Sequence, residues 1–284
     1  MERAKQPARR MMLSVETVMT TRSGVRLMLT VWVLALATTV GAQTAPKPYE
    51  PTVGQAGKDV VWVPTPQALV EKMLDLGQLT PNDYLIDLGS GDGRTVITAA
   101  RRGSRALGVE FNPDMVALAR RSATEAKVGD RAQFVEGDLF EADLSKAQVI
   151  TMFLLPSINM KLRPKLLGLK PGTRIVTNSF TMEDWMADET VNVTENCSSW
   201  CQALLWVVPA KVEGTWQTPQ GPLVLQQTFQ MLNGTFGGTS LVDAKLRGEQ
   251  IMFTVGAVKY TGTVSGTSMK GTTSTGATWT ATKP

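Results

Sequence analysis

The chain has 284 residues, 43% of them hydrophobic and 19% charged, which is enough for one full core and a smaller second unit. It contains no histidine, which excludes Ser-His-Asp and Cys-His catalysis and histidine-ligated metal sites. The net charge of +4 is modest and belongs partly to an arginine-rich amino terminus, so charge gives no argument for a nucleic-acid partner.

In chain order, Arg22 and Arg26 precede the apolar run Leu27–Ala37, and Val40-Gly41-Ala42 supplies the small residues a signal peptidase reads. Residues 1–42 therefore read as a secretory signal cleaved after Ala42, which implies a periplasmic or secreted protein. The run is short against the roughly 20 residues of a membrane span, and an uncleaved anchor is the alternative. Residues 43–58, with Pro46, Pro48, Pro51 and Gly54, read as an exposed lead-in.

Thr65 is expected to cap a helix with Pro66 at its first position; Ala68, Leu69, Met73 and Leu76 give it an apolar stripe, and Gly77 ends it. A strand over 84–87 then runs into Asp87-Leu88-Gly89-Ser90-Gly91-Asp92-Gly93-Arg94. Glycines at alternate positions let the backbone turn sharply and bring bare N–H groups against a ligand. The dinucleotide fingerprint is G-x-G-x-x-G, whereas here the third glycine falls one residue early and an acid closes the strand. Asp87 repels a phosphate but suits a cationic, hydroxyl-rich ligand, and S-adenosylmethionine carries a sulfonium and an ammonium.

Two more acids follow in register. After a helix over 94–102, the strand 106–110 ends at Glu110, about twenty residues past the loop, where nucleotide folds place a carboxylate on ribose hydroxyls. Asn112 and Pro113 start a helix over 113–126, and the strand 133–137 ends at Asp138, an acceptor for an adenine amino group, with Leu139 and Phe140 covering the ring. The order continues as strand 148–154, helix 157–167, strand 173–178 and an antiparallel hairpin of 189–193 with 203–208. Cys197 and Cys201, the two cysteines of the chain, lie across that turn within reach of a disulfide and do not make a zinc site.

Continuous apolar strands alternating with helices imply an α/β, Rossmann-like, doubly wound, mostly parallel sheet over 59–209, closed by the antiparallel hairpin. Past Pro209 the pattern changes to short Thr-, Val-, Gln- and Gly-rich alternating segments separated by Asn233-Gly234, Gly237-Gly238 and Gly248-Glu249. Residues 210–284 therefore read as a small all-β domain, an antiparallel meander or half-barrel of six to eight strands. It carries no catalytic constellation and reads as a packing appendage before it reads as a ligand holder.

With Val63-Pro64-Thr65-Pro66, the glycine loop, Phe153-Leu154-Leu155-Pro156, Asn159 and Leu162-Arg163-Pro164-Lys165-Leu166, the chain resembles the seven-strand S-adenosylmethionine-dependent methyltransferases. Within them it is similar to the archaeal protein lysine methyltransferases and to the mitochondrial enzymes that methylate a lysine within the ATP synthase. The resemblance covers roughly residues 60–208. It implies cofactor binding by Thr65, Asp87, Gly89, Ser90, Gly91, Gly93, Glu110, Asp138 and Leu139, and no metal. It also implies a protein substrate entering near Trp62 and Phe153, with Phe180 a further candidate. Phe153 stands where the family pattern usually carries Tyr.

A lysine nucleophile must first lose its proton, from a reference pKa of about 10.4, and an apolar aromatic mouth favours the neutral amine. Nucleobase N-methylation uses a polar acceptor before the Pro-aromatic segment, which Leu154-Leu155-Pro156 lacks, so nucleic acid is not expected as substrate. Two readings stand at this level. One is a methyltransferase acting on protein lysine; the other is an exported binding protein that keeps the fold as scaffold while its β-domain captures a ligand. Export opposes the first, because S-adenosylmethionine is made and kept in the cytosol.

Overall fold

In the computed structural model, which describes residues 49–283, the chain after the lead-in runs α1 (Gln67–Leu76), β1 (Tyr84–Leu88), α2 (Arg94–Arg101), β2 (Arg105–Glu110), α3 (Pro113–Glu125) and β3 (Ala132–Glu136). It continues as β4 (Val149–Met152), α4 (Pro156–Leu167), β5 (Arg174–Asn178), β6 (Glu189–Asn192) and β7 (Gln202–Val207). The expected leader at 1–42, and the expected lead-in as far as residue 48, lie outside the described residues.

These strands form one seven-stranded sheet in the order β3-β2-β1-β4-β5-β7-β6. Strands β1 to β5 pair in parallel, while β7 runs antiparallel to both β5 and β6. The central strands are buried on both faces: Leu85, Ile86, Leu88, Val149, Ile150, Met152, Ile175 and Val176 are all buried, as a helix-covered parallel sheet requires. The order reverses between β1 and β4, and in such sheets the crevice beyond the strand C-termini at that reversal is where ligands bind.

Local capping agrees with the sequence at α3, where the Asn112 Oδ1 accepts from the Asp114 and Met115 N–H groups and Pro113 opens the helix. At α1 the expectation is corrected. Pro66 itself is the N-cap and no side chain caps the helix, because the buried Thr65 hydroxyl accepts from Asn178 Nδ2 at 3.3 Å instead. Strand β4 is also shorter than expected: it ends at Met152, so that Phe153 and Leu154 leave the sheet and line the crevice.

The β6–β7 turn is closed by a Cys197–Cys201 disulfide, so both cysteines are bonded. After β7, residues 208–213 lead into eight strands: β8 (Gly214–Trp216), β9 (Leu223–Thr228), β10 (Met231–Phe236), β11 (Thr239–Arg247), β12 (Gln250–Val255), β13 (Val258–Ser265), β14 (Ser268–Thr273) and β15 (Thr278–Thr282). Each pairs antiparallel with the next, and a two-way bond between Gln217 and Thr282 joins the first end to the last. The result is a near-barrel.

Its interior is filled by rings: Phe253 stacks on Tyr260 at 4.9 Å and meets Trp279 edge-on at 5.5 Å, with Trp216 fully buried beside them. Phe229 attaches the near-barrel to the α/β part, stacking on the buried Trp185 at 5.9 Å beneath the Arg163 guanidinium at 5.2 Å. Beside it the Gln230 Nε2 donates to the Met186 carbonyl at 2.7 Å.

Candidate active site

The loop after β1 has the geometry its glycines allow. Gly89, Gly91 and Gly93 have φ of +74°, +52° and +81°, in the left-handed region. A Cβ on Gly91 would lie 2.7 Å from the Trp62 indole nitrogen, and one on Gly93 would lie 2.7 Å from the Phe134 ring, so neither position has room for a side chain. The Gly89 and Ser90 N–H groups donate to the Val109 carbonyl at 2.9 and 3.1 Å, and the Gly91 N–H donates to Glu110 Oε2 at 2.9 Å. Arg94 ties the far end down, pairing with Asp92 at 2.6 Å and donating to the Thr65 carbonyl at 2.8 Å.

The three acids stand along the expected edge. Asp87 is buried at the end of β1, and burial pushes its carboxyl up from 3.8 to about 7 despite the Thr151 hydroxyl, which donates to it at 2.6 Å; Asp92 and Glu110 nearby push the same way. A buried acid held this high lacks a cation, and an ammonium or sulfonium would complete it. Glu110 accepts from Gly91 with one oxygen and from the Asn112 N–H with the other at 3.0 Å, so it holds the loop as well as facing the cleft. Asp138 accepts from the Phe140 N–H at 2.9 Å and from Lys58 Nζ at 2.6 Å, and the Lys58 bond holds its carboxyl below the ordinary carboxylate range.

All of these meet in one open cleft, whose wall includes Thr65, Asp87, Gly89, Glu110, Asp138 and Leu139. Ser90 and Gly91 line it too, whereas Gly93 sits behind the loop as the N-cap of α2. Phe140, expected over a bound ring, is not on this wall; it is partly buried against the core of the α/β part. Phe111 is on the wall instead, half exposed, with the Lys58 ammonium 4.4 Å from its ring centre. The signal for it was the aromatic residue directly after the acid of the second strand.

A second, more apolar cleft shares Val63, Phe153 and the 56–61 turn with the first. Phe153, Phe180 and Trp200 wall it, with Leu155 and Val61. Trp62 is not there: its ring lies on Gly91, on the cofactor side. Trp200 was missed by sequence reasoning, since only the disulfide turn brings it to Phe153 and Phe180.

A parallel sheet reversing at a glycine turn, an acid closing each of the first two strands and a third just past β3, and a buried carboxyl wanting a cation define an S-adenosylmethionine-dependent methyltransferase. Comparison with known proteins agrees. Residues 87–189 match the ANTKMT methyltransferase domain. A protein-lysine N-methyltransferase of Saccharolobus islandicus is 42% identical over 139 residues, covering 48% of this chain and 86% of that protein. The adenine nucleotide translocase lysine N-methyltransferase of Mus musculus is 37% identical over 118 residues, covering 41% of this chain and 51% of that protein, so the chain spans about half of that relative. A crystal structure described as an RNA methyltransferase of Salinibacter ruber, in complex with S-adenosyl-L-homocysteine, is 47% identical with a TM-score of 0.50, covering 53% of this chain and 96% of that one. The chain belongs to the methyltransferase family of the Saccharolobus protein, and S-adenosylmethionine is its cofactor.

Proposed function

We propose that the methyl acceptor is the ε-amine of a protein lysine. The observation that carries this is the aromatic cleft, which adjoins the cofactor cleft through Phe153 and is walled by Phe180, Trp200, Leu155, Val61 and Val63. Apolar walls favour the neutral amine over the ammonium, which is the nucleophilic form, and exclude water from the reacting atoms. The cofactor supplies an activated methyl on sulfur. The chain's own residues would position it: the Gly89–Gly93 loop leaves its approach free of side chains, Asp87 would answer its cationic end, Glu110 would hold its ribose and Asp138 its adenine. Thr65, Ser90 and Leu139 complete that wall, Gly93 shapes the loop from behind, and Trp62 belongs to the cofactor side. The names of the Saccharolobus and Mus relatives support lysine.

A second reading, RNA as acceptor, rests on the description of the Salinibacter protein. Incubating the full chain and a methyl-labelled donor with cell lysate, then digesting with protease or ribonuclease, separates the two. Label lost to protease only fits lysine; label lost to ribonuclease rejects it.

We propose export as a separate reading, one that the cytosolic supply of S-adenosylmethionine opposes. The Arg-led apolar run Leu27–Ala37 with the small residues up to Ala42, and the Cys197–Cys201 disulfide, a bond that oxidising compartments keep, both support it. Fractionation of cells expressing the full chain tests this: protein in the cytosolic fraction with residues 1–42 intact would overturn it.

A further inference from the structure

The Cys197–Cys201 disulfide closes a five-residue loop whose fourth member is Trp200. Trp200 has φ of +57°, a left-handed backbone that bulky L-residues rarely adopt. Its side chain is 44% exposed, yet its ring centre lies 5.2 Å from Phe180 and 5.8 Å from Phe153, which are themselves 5.9 Å apart. Local strain combined with a half-exposed indole is the pattern of a residue held for a ligand rather than for the core.

The other two rings are fixed from the sheet. Phe153 follows directly on β4. Phe180 is set by the Thr177 hydroxyl, which donates to its carbonyl at 2.6 Å, and by the fully buried Asn159, whose Nδ2 donates to the Thr181 carbonyl at 3.2 Å. Trp200 alone rides on the disulfide turn. The three rings make a channel wall that reaches the cofactor cleft through Phe153.

We infer that Trp200 is a specificity-determining residue: it closes the third side of the acceptor channel, selects an unbranched aliphatic amine, and is held in place by the Cys197–Cys201 bond. This rests on the lysine reading above. Aromatic faces attract an ammonium and cover an aliphatic stem, so they guide a lysine side chain inward before its proton is lost.

The test uses the full chain saturated with S-adenosylhomocysteine and n-butylammonium chloride as probe, with binding read by ligand-observed NMR. Trp200→Ala is expected to weaken probe binding roughly fivefold, the size of a lost cation–aromatic contact, while Trp200→Phe largely restores it. A Cys197→Ser/Cys201→Ser double variant falls towards Trp200→Ala, and combining all three changes adds nothing further. Calorimetry with S-adenosylhomocysteine stays unchanged throughout, a readout that a merely structural loop would move. Probe binding that is absent in the wild type, equal in Trp200→Ala, or lost together with S-adenosylhomocysteine affinity overturns the inference. Methyl label that never appears on lysine, while probe binding still follows Trp200, sinks the lysine reading and leaves the amine channel standing; labelled lysine with binding indifferent to Trp200 does the reverse.

Discussion

The Thr151 hydroxyl donates to the Asp87 carboxyl at 2.6 Å across the ends of β1 and β4, where the two residues are register partners. It is a side-chain donor to a buried acid whose carboxyl still sits near 7. The ionised acid is therefore disfavoured by burial in the free protein, and a bound cofactor's positive charge would offset that.

The pH dependence of cofactor affinity follows. Below about pH 7 Asp87 takes a proton and no longer answers a cation, so affinity for S-adenosylmethionine should fall, approaching roughly tenfold per unit well below that point. Calorimetry from about pH 5.5 to about pH 8.5 brackets that point and checks it. Affinity flat across the range contradicts the role given to Asp87.

Stability has the opposite sign. The folded-state value is raised above the ordinary 3.8, so the folded protein holds its proton more tightly and loses stability as pH rises from about 4 to about 7. Asp87→Asn should then unfold later than wild type above pH 7, by on the order of 1–4 kcal/mol, match it near pH 4, and fail to bind cofactor. Denaturant midpoints at the two pH values give the comparison.

Removing Thr151's hydroxyl isolates the donor. Thr151→Val should move the affinity midpoint to higher pH and leave the fold intact, because the strand interior keeps a β-branched residue of similar volume. An unmoved midpoint in the same titration would show the bond to be incidental.

At the loop itself, Gly93→Ala forces a Cβ into a left-handed backbone 2.7 Å from the Phe134 ring and 2.8 Å from Ala119. The conformational and overpacking costs together are about 2–5 kcal/mol, read as a drop in the urea midpoint.

Lys58 gives a prediction of a different kind. Its ammonium bonds Asp138 over the Phe111 ring, at the place assigned to adenine. Lys58→Ala frees that oxygen and should tighten S-adenosylmethionine severalfold without moving the unfolding midpoint, since the side chain is solvent-exposed. Weaker binding would make the 54–62 turn a cover that closes with the ligand.

Much of the α/β part was legible because its signals are local. The glycine spacing demands positive φ at fixed positions, the apolar runs are long enough for buried parallel strands, and Asp87, Glu110 and Asp138 each follow such a run. The near-barrel was legible as a meander, but its closure depends on Gln217 meeting Thr282 from the far end of the sheet, and no local pattern encodes that. The same holds for the acceptor side. Phe153, Phe180 and Trp200 come from three separate turns, and Trp200 reaches the others only through a disulfide loop. Thr65 misled because a Thr-Pro pair reads as a cap, while burial against Asn178 gave its hydroxyl another partner. Trp62 shares the first cleft with Phe153, where its ring covers Gly91, while the second cleft lacks it.

The most direct measurement is tandem mass spectrometry of lysate proteins after incubation with the purified full chain and a heavy-methyl donor, with Asp87→Asn in parallel. Heavy methyl is expected on lysine ε-nitrogen with the wild type and absent with the variant. Heavy methyl found on RNA and not on lysine, or lysine methylated equally by both proteins, contradicts the assignment of this cleft to lysine methylation.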